Sequence, residues 1–308
     1  MPDARRALIA INPEARRPPN SRALRAGIDW LEQHGWKVES RVTERRGEIE
    51  EVSARAAVEG VDCVVACGGD GTLHEAVNGL AGTLTALALL PGGTANVWAR
   101  EARLPRDPER ALRLLAEGDR LCIDTGSGAG RSFLLMASIG LDSLVAGRVG
   151  SRLKRRFGFL PYLGHAAVAL PGFSGLNAKI TLDGETIETP LVGLLVGNTR
   201  SYGGLIEITP DARADDGLLD VCIYKGSGRI SFLRSLVNTL LRRHVRQDAV
   251  VYRQAQTITI QTEAPWPVQF DGEVVTETPV TIRCVPRSLT VVVPHGLRSP
   301  LWGGAEPV

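Results

Sequence analysis

Residues 68–72 read GGDGT, directly after an apolar run at residues 61–66 and before a helix-like sequence that starts at Leu73. Glycines at a strand end let the backbone approach an anion closely, and the first N–H groups of a helix point towards that anion. Thr72 has a hydroxyl that can cap the helix. This arrangement predicts a loop that binds the phosphate chain of a nucleoside triphosphate.

Asp70 stands in the middle of this loop, where its charge repels phosphate unless something separates the two. A divalent cation, a ribose hydroxyl or a water molecule can do so. Asp70 is therefore a candidate for catalytic chemistry linked to Mg²⁺. The alternative is an ordinary strand-to-helix turn in which the Asp70 carboxylate bonds to its own backbone.

A second glycine loop, at residues 91–96, reads PGGTAN and follows the apolar run at residues 84–90. Thr94 and Asn96 supply hydroxyl and amide groups for phosphate or ribose. If the two apolar runs are neighbouring parallel strands, both loops meet in one crevice at the strand ends. The alternative is that Thr94 merely caps a helix.

An acidic turn, DDG at residues 215–217, is the third candidate. Its carboxylates and carbonyl oxygens are suited to a hard cation such as Mg²⁺. A plain hairpin turn is an equal alternative.

The segment FDGE at residues 270–273 is the fourth candidate. Asp271 and Glu273 share one face of a straight strand, whereas a turn would splay them. Transfer of a phosphoryl group to an alcohol needs a group that accepts the hydroxyl proton, and either acid can serve. A surface hairpin is the alternative.

The first third of the chain alternates short apolar runs with helical patterns, which predicts parallel strands joined by crossover helices. Ligands bind at the carboxyl ends of such strands, where Asn12 and Thr43 also fall. After about Cys122 the pattern changes to short strands separated by glycine turns, which is typical of an antiparallel sandwich. We expect a nucleotide-binding domain at residues 1–123 and a larger β-rich domain at residues 124–294.

The composition is that of an ordinary water-soluble protein with about two domains, since 44% of its 308 residues are hydrophobic and 23% are charged. A formal net charge of +2 gives no indication of a nucleic-acid partner. The five cysteines lack metal-ligand spacing and are interpreted as free, mostly buried thiols of a reducing compartment. With no export signal and no segment long and apolar enough to cross a bilayer, a cytoplasmic protein is expected.

Several motifs of other enzyme classes are missing from the sequence. It has no GxxxxGK[ST] loop, no HRD or DFG of protein kinases and no GxSxG elbow. The five histidines show no metal-ligand spacing. Hydrolases and zinc enzymes are therefore excluded.

The ordered set GGDGT, PGGTANVWAR, NTRSYGG, PDARADDGLLDV and DGE resembles the diacylglycerol kinase catalytic domain family, which includes bacterial soluble lipid kinases and sphingosine kinases. The resemblance covers nearly the whole chain. It implies an ATP-dependent lipid kinase with a Rossmann-like α/β domain of the kind found in NAD kinase and phosphofructokinase. It also implies a β-sandwich lipid-binding domain, a cleft between the two, and a return of residues 295–308 to the first domain.

The resemblance assigns roles by position. Glu273 matches the family's proposed proton acceptor, and Asp271 lies beside it. Asp216 matches a structural Mg²⁺ site to which Arg213 and Leu218 contribute backbone oxygens. The residues that would line ATP are Asn12, Thr43, Cys67, Gly68, Gly69, Asp70, Gly71, Thr72, Leu73, Thr94 and Asn96.

Two positions depart from the family pattern. Many relatives have an acid after the asparagine of the second loop, whereas this chain has Val97, so the contact of that acid is lost or replaced. The usual glycine after Asn12 and Pro13 is also absent, since Glu14 follows them. This second departure weakens the case for an ATP contact by Asn12.

The expected partner is a lipid substrate at a membrane surface. Each basic residue near an anionic leaflet contributes about 1 kcal/mol to binding, so basic clusters favour peripheral association with the inner membrane surface. Solvated helix faces are the alternative. One cluster precedes the apolar residues 157–173 and the other accompanies the leucines of a predicted amphipathic helix: Arg148, Arg152, Lys154, Arg155 and Arg156; then Arg229, Arg234, Arg242, Arg243 and Arg246.

The acceptor expected first is diacylglycerol, which would give phosphatidic acid. A sphingoid base, ceramide or another lipid alcohol is an alternative. NAD kinase also uses GGDGT, but the DDGLLD and DGE segments favour a lipid kinase. A non-catalytic lipid or nucleotide sensor is a further alternative, motivated by Val97, and a homodimer stays among the options for assembly.

Overall fold

The computed structural model describes residues 4–15, 21–140, 143, 175–204 and 206–303. The chain divides into two compact units. The first unit comprises residues 1–124 and 286–308, and the second comprises residues 125–285. The segment that returns to the first unit thus begins at Pro286, earlier than the residues 295–308 expected from the sequence.

Strands and helices alternate along the first unit. The strands are parallel in the spatial order β2, β1, β3, β4, and Val291 of the strand Val280–Val293 pairs in parallel with Leu87 of β4. The predicted parallel α/β sheet is confirmed. Its elements are β1 Arg5–Ile11, α1 Ser21–Gln33, β2 Trp36–Val42, α2 Glu48–Val58, β3 Cys63–Gly68, α3 Asp70–Leu80, β4 Ala86–Pro91, α4 Val97–Glu101 and α5 Pro108–Glu117.

The central strands of this unit are continuous apolar runs. Every residue of β3 is buried, as expected for a parallel strand that helices cover on both faces. Ile9, Val65 and Leu112 belong to one buried cluster that joins the sheet to the surrounding helices. Packing of this kind fixes where β1, β3 and β4 end, and hence where the loops that follow them begin.

The second unit is built from antiparallel strands, as predicted. It holds one described helix, α6 Gly228–Leu240, followed by a 3₁₀ turn at His244–Arg246. Its strands are β5 Asp119–Gly128, β6 Arg131–Phe133, β7 Met136–Gly140, β8 Leu176–Leu182, β9 Glu185–Gly197, β10 Ser201–Tyr202, β11 Ile206–Glu207, β12 Leu219–Lys225, β13 Val250–Ala255, β14 Thr257–Thr262, β15 Pro267–Phe270, β16 Glu273–Glu277 and β17 Val280–Val293; β5 begins in the first unit and β17 ends there.

The core of the second unit surrounds two aromatic rings. Phe133 and Phe270 are fully buried, and their ring centroids lie 5.0 Å apart in a tilted arrangement. Alternate residues of β8, β9 and β14 point into the same cluster, for example Ile180, Leu194 and Ile260. Because Phe270 ends β15, this core positions the turn that carries Asp271 and Glu273.

Within the described ranges, no helix combines the length and the apolar character that a membrane crossing requires. The first predicted basic cluster, at residues 148–156, and the apolar residues 157–173 lie outside the described residues. The second basic cluster lies on and directly after α6.

Candidate active site

The ends of the four parallel strands β1 to β4 of the first unit are tied together by backbone hydrogen bonds. The N–H of Asn12, after β1, donates to the Cys67 carbonyl of β3 at 3.0 Å, and the N–H of Gly92, after β4, donates to the Gly68 carbonyl at 2.7 Å. The N–H of Thr43, after β2, donates to the Ile11 carbonyl at 2.9 Å. The residues expected to line ATP therefore stand at one edge of the sheet.

Two glycines bring the first and second loops into backbone contact. A Cβ atom added to Gly93 would lie 2.5 Å from the Cα of Gly69, and one added to Gly69 would lie 3.0 Å from the Cα of Gly93. Carbon atoms do not approach to 2.5 Å without displacement, so side chains are excluded here. The glycines thus allow the GGDGT and PGGTAN loops to form one continuous surface.

Asp70 links the same two loops through its side chain. Its carboxylate Oδ1 accepts a hydrogen bond of 2.7 Å from the N–H of Val97, the first residue of α4. A carboxylate at this position also interacts favourably with the positive end of a helix dipole. The Asx-type alternative predicted a bond to the residue's own backbone, whereas this bond spans the two loops.

Asn96 shapes the second loop from within. Its backbone is in the left-handed region, with φ 46° and ψ 57°, which asparagine tolerates better than most residues. Its side-chain Oδ1 accepts from the Gly93 N–H and its Nδ2 donates to the Gly93 carbonyl, both at 2.9 Å. The amide that was expected to contact nucleotide thus closes the turn, and Thr94 is the exposed polar side chain of the loop.

The capping role expected for Thr72 is wrong. The residue that precedes α3 is Gly69, and no side chain caps it, so Thr72 lies inside the first turn of the helix. Its buried hydroxyl accepts a hydrogen bond of 2.9 Å from Asn12 Nδ2. Gly68 is needed beside it, because a Cβ there would lie 2.2 Å from the Thr72 hydroxyl oxygen and would clash with it. Asn12 and Thr72 together fix the first loop against the end of β1.

Thr43 and Cys67 lie beneath the surface of this edge. Thr43 is 3% exposed and its hydroxyl donates to the Ile11 carbonyl at 3.2 Å. Burial raises the pKa of the Cys67 thiol to about 12, so the thiol stays neutral and unreactive. All five cysteines are free thiols, as predicted, and Cys63, Cys67 and Cys222 are buried.

In the second unit, Asp271 and Gly272 form the two-residue turn between β15 and β16. Both have positive φ, 50° and 90°, and Phe270 pairs with Glu273 across the turn. This is the Asp-Gly pattern of tight hairpins, which matches the twist of the flanking strands. The hairpin named as the alternative is therefore present, and the two acids follow a turn rather than a straight strand.

The Asp271 carboxylate is bound by three consecutive backbone N–H groups. Its Oδ2 accepts from Leu134, and its Oδ1 accepts from Leu135 and Met136, all at 2.9 Å. The Asp271 N–H in turn donates to the Met136 carbonyl. The Asp271 carboxylate therefore holds the segment that leads into β7. This structural role distinguishes Asp271 from Glu273.

Glu273 is the first residue of β16 and is half-buried. Its position is fixed by the turn and by Gln269, whose Oε1 accepts the Gly272 N–H and whose Nε2 donates to the Ser138 hydroxyl. Gln269 is 1% exposed, so this support is internal to the unit. Two acids two residues apart thus have different surroundings.

The acidic turn at residues 215–217 precedes β12. Asp216 Oδ1 accepts from the Leu218 N–H at 3.1 Å, and the Arg213 guanidinium lies 3.3 Å from Asp215 Oδ1. Among the described residues, no group of three or more His, Cys, Asp and Glu side chains is arranged to hold a metal ion. A cation here would need backbone carbonyl oxygens beside the Asp216 carboxylate, and such a set of hard oxygen donors suits Mg²⁺.

Asp220, four residues after Asp216, was not identified from the sequence. It is fully buried; burial raises the pKa of its carboxyl, hydrogen bonds from Tyr252 and Gln254 oppose that shift, and the charge of Asp216 reinforces it. The Tyr252 hydroxyl donates to Asp220 at 2.6 Å. An acid within the otherwise apolar strand LDVCIYK was the available signal.

The profile described as the diacylglycerol kinase catalytic domain matches residues 6–127, and that described as the YegS C-terminal NAD kinase beta sandwich-like domain matches residues 136–293. The chain is 27% identical to a diacylglycerol kinase of Staphylococcus carnosus over 96% of this chain and 97% of that one. It is 29% identical to a diacylglycerol kinase of Bacillus subtilis over 87% of this chain and 90% of that one.

Among solved structures, a diacylglycerol kinase from Bacillus anthracis is similar with a TM-score of 0.77 and 25% identity, covering 95% of this chain and 98% of that one. The β-rich second unit therefore has the sandwich-like fold expected for it.

Proposed function

Because the chain belongs to the diacylglycerol kinase catalytic domain family of lipid kinases, we propose that it transfers the γ-phosphate of ATP to the hydroxyl of diacylglycerol and so forms phosphatidic acid. The observation that carries the proposal is the junction of the two glycine loops, where Gly69 meets Gly93 and Asp70 bonds to Val97. Such a surface, at the carboxyl ends of parallel strands, suits a phosphate chain.

The first unit binds ATP in this proposal. The phosphates lie on the loop at residues 68–72 and against residues 91–96, with Thr94 as the exposed hydroxyl. Asn12 and Asn96 act by holding the loops, since their amides bond to Thr72 and Gly93. Preorganised N–H groups stabilise phosphoryl charge without rearrangement during the reaction.

Mg²⁺ fits two places by the chemistry of their oxygen donors. Asp70 would hold the ion that accompanies ATP, and Asp216 with the backbone oxygens of Arg213 and Leu218 would hold a second, structural ion. When bound to ATP, the ion neutralises charge on the phosphates.

Glu273 serves as the base that accepts the proton of the lipid hydroxyl, which then attacks the γ-phosphorus in line as the bond to ADP breaks. Asp271 is a positioning residue, because its oxygens are bound by the N–H groups of residues 134–136. Their different surroundings therefore support assigning the two acids different roles.

We propose further that the enzyme works in the cytoplasm at the inner membrane surface, where ATP and diacylglycerol are both present. The β-sandwich-like unit would receive the lipid.

The test is to offer labelled ATP with a panel of lipid alcohols in mixed micelles and to separate the products. Labelled phosphatidic acid is expected, with loss of product in Glu273→Gln. A label on a sphingoid base, ceramide or NAD would replace diacylglycerol as acceptor. ATP binding without any product would make the chain a sensor and would overturn the proposal.

A further inference from the structure

Helix α6 presents one row of its apolar residues to solvent, whereas Phe232 and Leu236 are half-buried. The exposed fractions of this row are large: Ile230 84%, Leu233 48%, Val237 52%, Leu240 57%, and Leu241, just after the helix, 55%. The one helical residue that is buried is the polar Thr239. A helix of a globular unit ordinarily has the opposite orientation, with its apolar stripe against the core.

The exposed apolar residues form one stripe. At about 100° of rotation per residue, Ile230, Leu233, Val237 and Leu240 fall within an arc of about 80°. Arg229 and Arg234 flank this arc on its two sides, and Thr239 falls on the far side of the helix. We call this set of four apolar residues, with Leu241, the α6 stripe.

Polar contacts anchor the other side of the helix. The Thr239 hydroxyl lies 2.9 Å from the Tyr224 hydroxyl of β12, and Asn238 Nδ2 donates to Gln247 Oε1 at 2.7 Å. His244 is 2% exposed, and its ring Nε2 lies 2.9 Å from the Ile208 carbonyl. The orientation of α6 is therefore set by bonds within its unit, so the stripe is held outward.

The charge on α6 and on the turn that follows it is positive, up to the exposed Asp248. Residues 226–247 contain no aspartate or glutamate, and all five arginines among them are exposed. Arg242 reaches Glu207 at 3.4 Å, an ion pair that is largely solvent-exposed. Arginines beside an apolar helix face suit an anionic leaflet, because the arginines can pair with its headgroups while the apolar face contacts its acyl chains.

We propose that the α6 stripe and its flanking arginines form the surface by which the enzyme docks on an anionic bilayer. The apolar side chains enter the acyl boundary while the guanidinium groups remain among the phosphates, as long basic side chains do at interfaces. The inference rests on the proposed function, since an acceptor lipid that stays in a bilayer must be met at its surface.

Docking is tested with the full chain, without ATP, by co-sedimentation with vesicles of phosphatidylcholine alone and of phosphatidylcholine mixed with phosphatidylglycerol. Wild type is expected to bind the mixed vesicles preferentially. The double variant Arg229→Gln/Arg234→Gln should bind them about 25-fold more weakly, at about fivefold for each arginine. Ile230→Ser/Val237→Ser should bind about 100-fold more weakly, at about tenfold for each buried aliphatic side chain.

The matched control is Val58→Ser/Leu84→Ser, which removes from the first unit two apolar side chains that are more exposed, 89% and 96%, than Ile230 and Val237. It should bind like wild type. Phosphorylation of a lipid in detergent micelles, measured on the same variants, separates docking from catalysis: a chain that docks but makes no product contradicts the proposed function and leaves the docking surface intact.

Light scattering on the same samples tests whether a second copy of the chain, and not a membrane, covers the α6 stripe. If the serine variants bind vesicles like wild type, or if they turn a dimer into a monomer without change in vesicle binding, the α6 stripe is not a membrane surface and the inference is overturned.

Discussion

Asp70 Oδ1 accepts a 2.7 Å hydrogen bond from the backbone N–H of Val97, and this bond joins the two loops that the strands β3 and β4 lead into. Position 97, where the family resemblance predicts an acid, holds Val97, whose side chain is 3% exposed. The backbone of this position nevertheless has a specific partner. One carboxylate thus has a positioning role in addition to the electrostatic role proposed for it.

The substitutions Asp70→Asn and Asp70→Ala separate these two roles. Asp70→Asn retains an oxygen that can accept the Val97 N–H, so its melting temperature should stay near that of wild type. Its kcat should fall at least 100-fold, or about 3 kcal/mol, because the charge proposed to hold Mg²⁺ at the phosphates is lost. Asp70→Ala should in addition lower the free energy of unfolding by about 1–2 kcal/mol. Thermal unfolding and lipid phosphorylation measure the two effects. An Asp70→Asn enzyme with normal kcat would leave only the positioning role.

Gly93→Ala should damage nucleotide binding specifically. The new Cβ would lie 2.5 Å from the Cα of Gly69 and 2.7 Å from Asn96 Oδ1, so the loops must separate. We expect the KM for ATP to rise about tenfold or more, with a loss of stability of about 1–3 kcal/mol typical of overpacking. Gly193→Ala is the control, since its nearest neighbour lies at 3.8 Å. Unchanged KM and stability in Gly93→Ala would show that the loops need no close contact.

Substitutions of the two acids of the β15–β16 turn should have different effects on stability and activity. Asp271→Asn places an amide N–H₂ among the three N–H groups of residues 134–136, so the unfolding free energy should fall by about 2 kcal/mol together with activity. Glu273→Gln should unfold like wild type in urea and lose activity at least 100-fold. If Glu273→Gln were active and Asp271→Asn stable but inactive, the roles of the two acids would be reversed.

Asp119 gives the first unit a pH-dependent contact. The Gly296 N–H and the His295 ring, both at 2.8 Å, hold the pKa of the Asp119 carboxyl below its usual value. A lowered folded-state pKa adds stability above the unfolded-state pKa of about 3.9, and that stability is lost as pH falls through the folded-state pKa. Asp119→Asn should therefore cost about 1 kcal/mol near neutral pH, and little in strong acid.

Urea titrations of wild type and Asp119→Asn across this pH range measure the difference. If the difference in unfolding free energy between the two proteins stayed constant down to acidic pH, the charge of the Asp119 carboxylate would contribute nothing to stability.

The alternation of apolar runs and helices was sufficient to predict the parallel sheet and the edge where Asn12, Gly68 and Pro91 fall. Glycine spacing and the strand order predicted that the two loops meet, but not the hydrogen bond from Val97 to Asp70, which links residues 27 positions apart. Thr72 was misassigned as a cap, since its sequence neighbours do not show that Asn12 bonds to its hydroxyl.

The role of Asp271 was equally hidden. The three groups that donate to its carboxylate lie about 136 positions earlier in the chain. They are backbone N–H groups of apolar residues, and no local sequence pattern marks them as partners of an acid. The DG pair correctly indicated a turn. What the turn's carboxylate binds depends on how β15 pairs with β7.

The strand that pairs with β4 has a consequence for biosynthesis. Residues 286–293 belong to the first unit, yet ribosomes synthesise them after the entire second unit. The amino-terminal half therefore cannot complete its sheet in step with translation, although domains commonly fold in order of emergence. The parallel pairing of β17 with β4 has to wait until residues 286–293 have been synthesised.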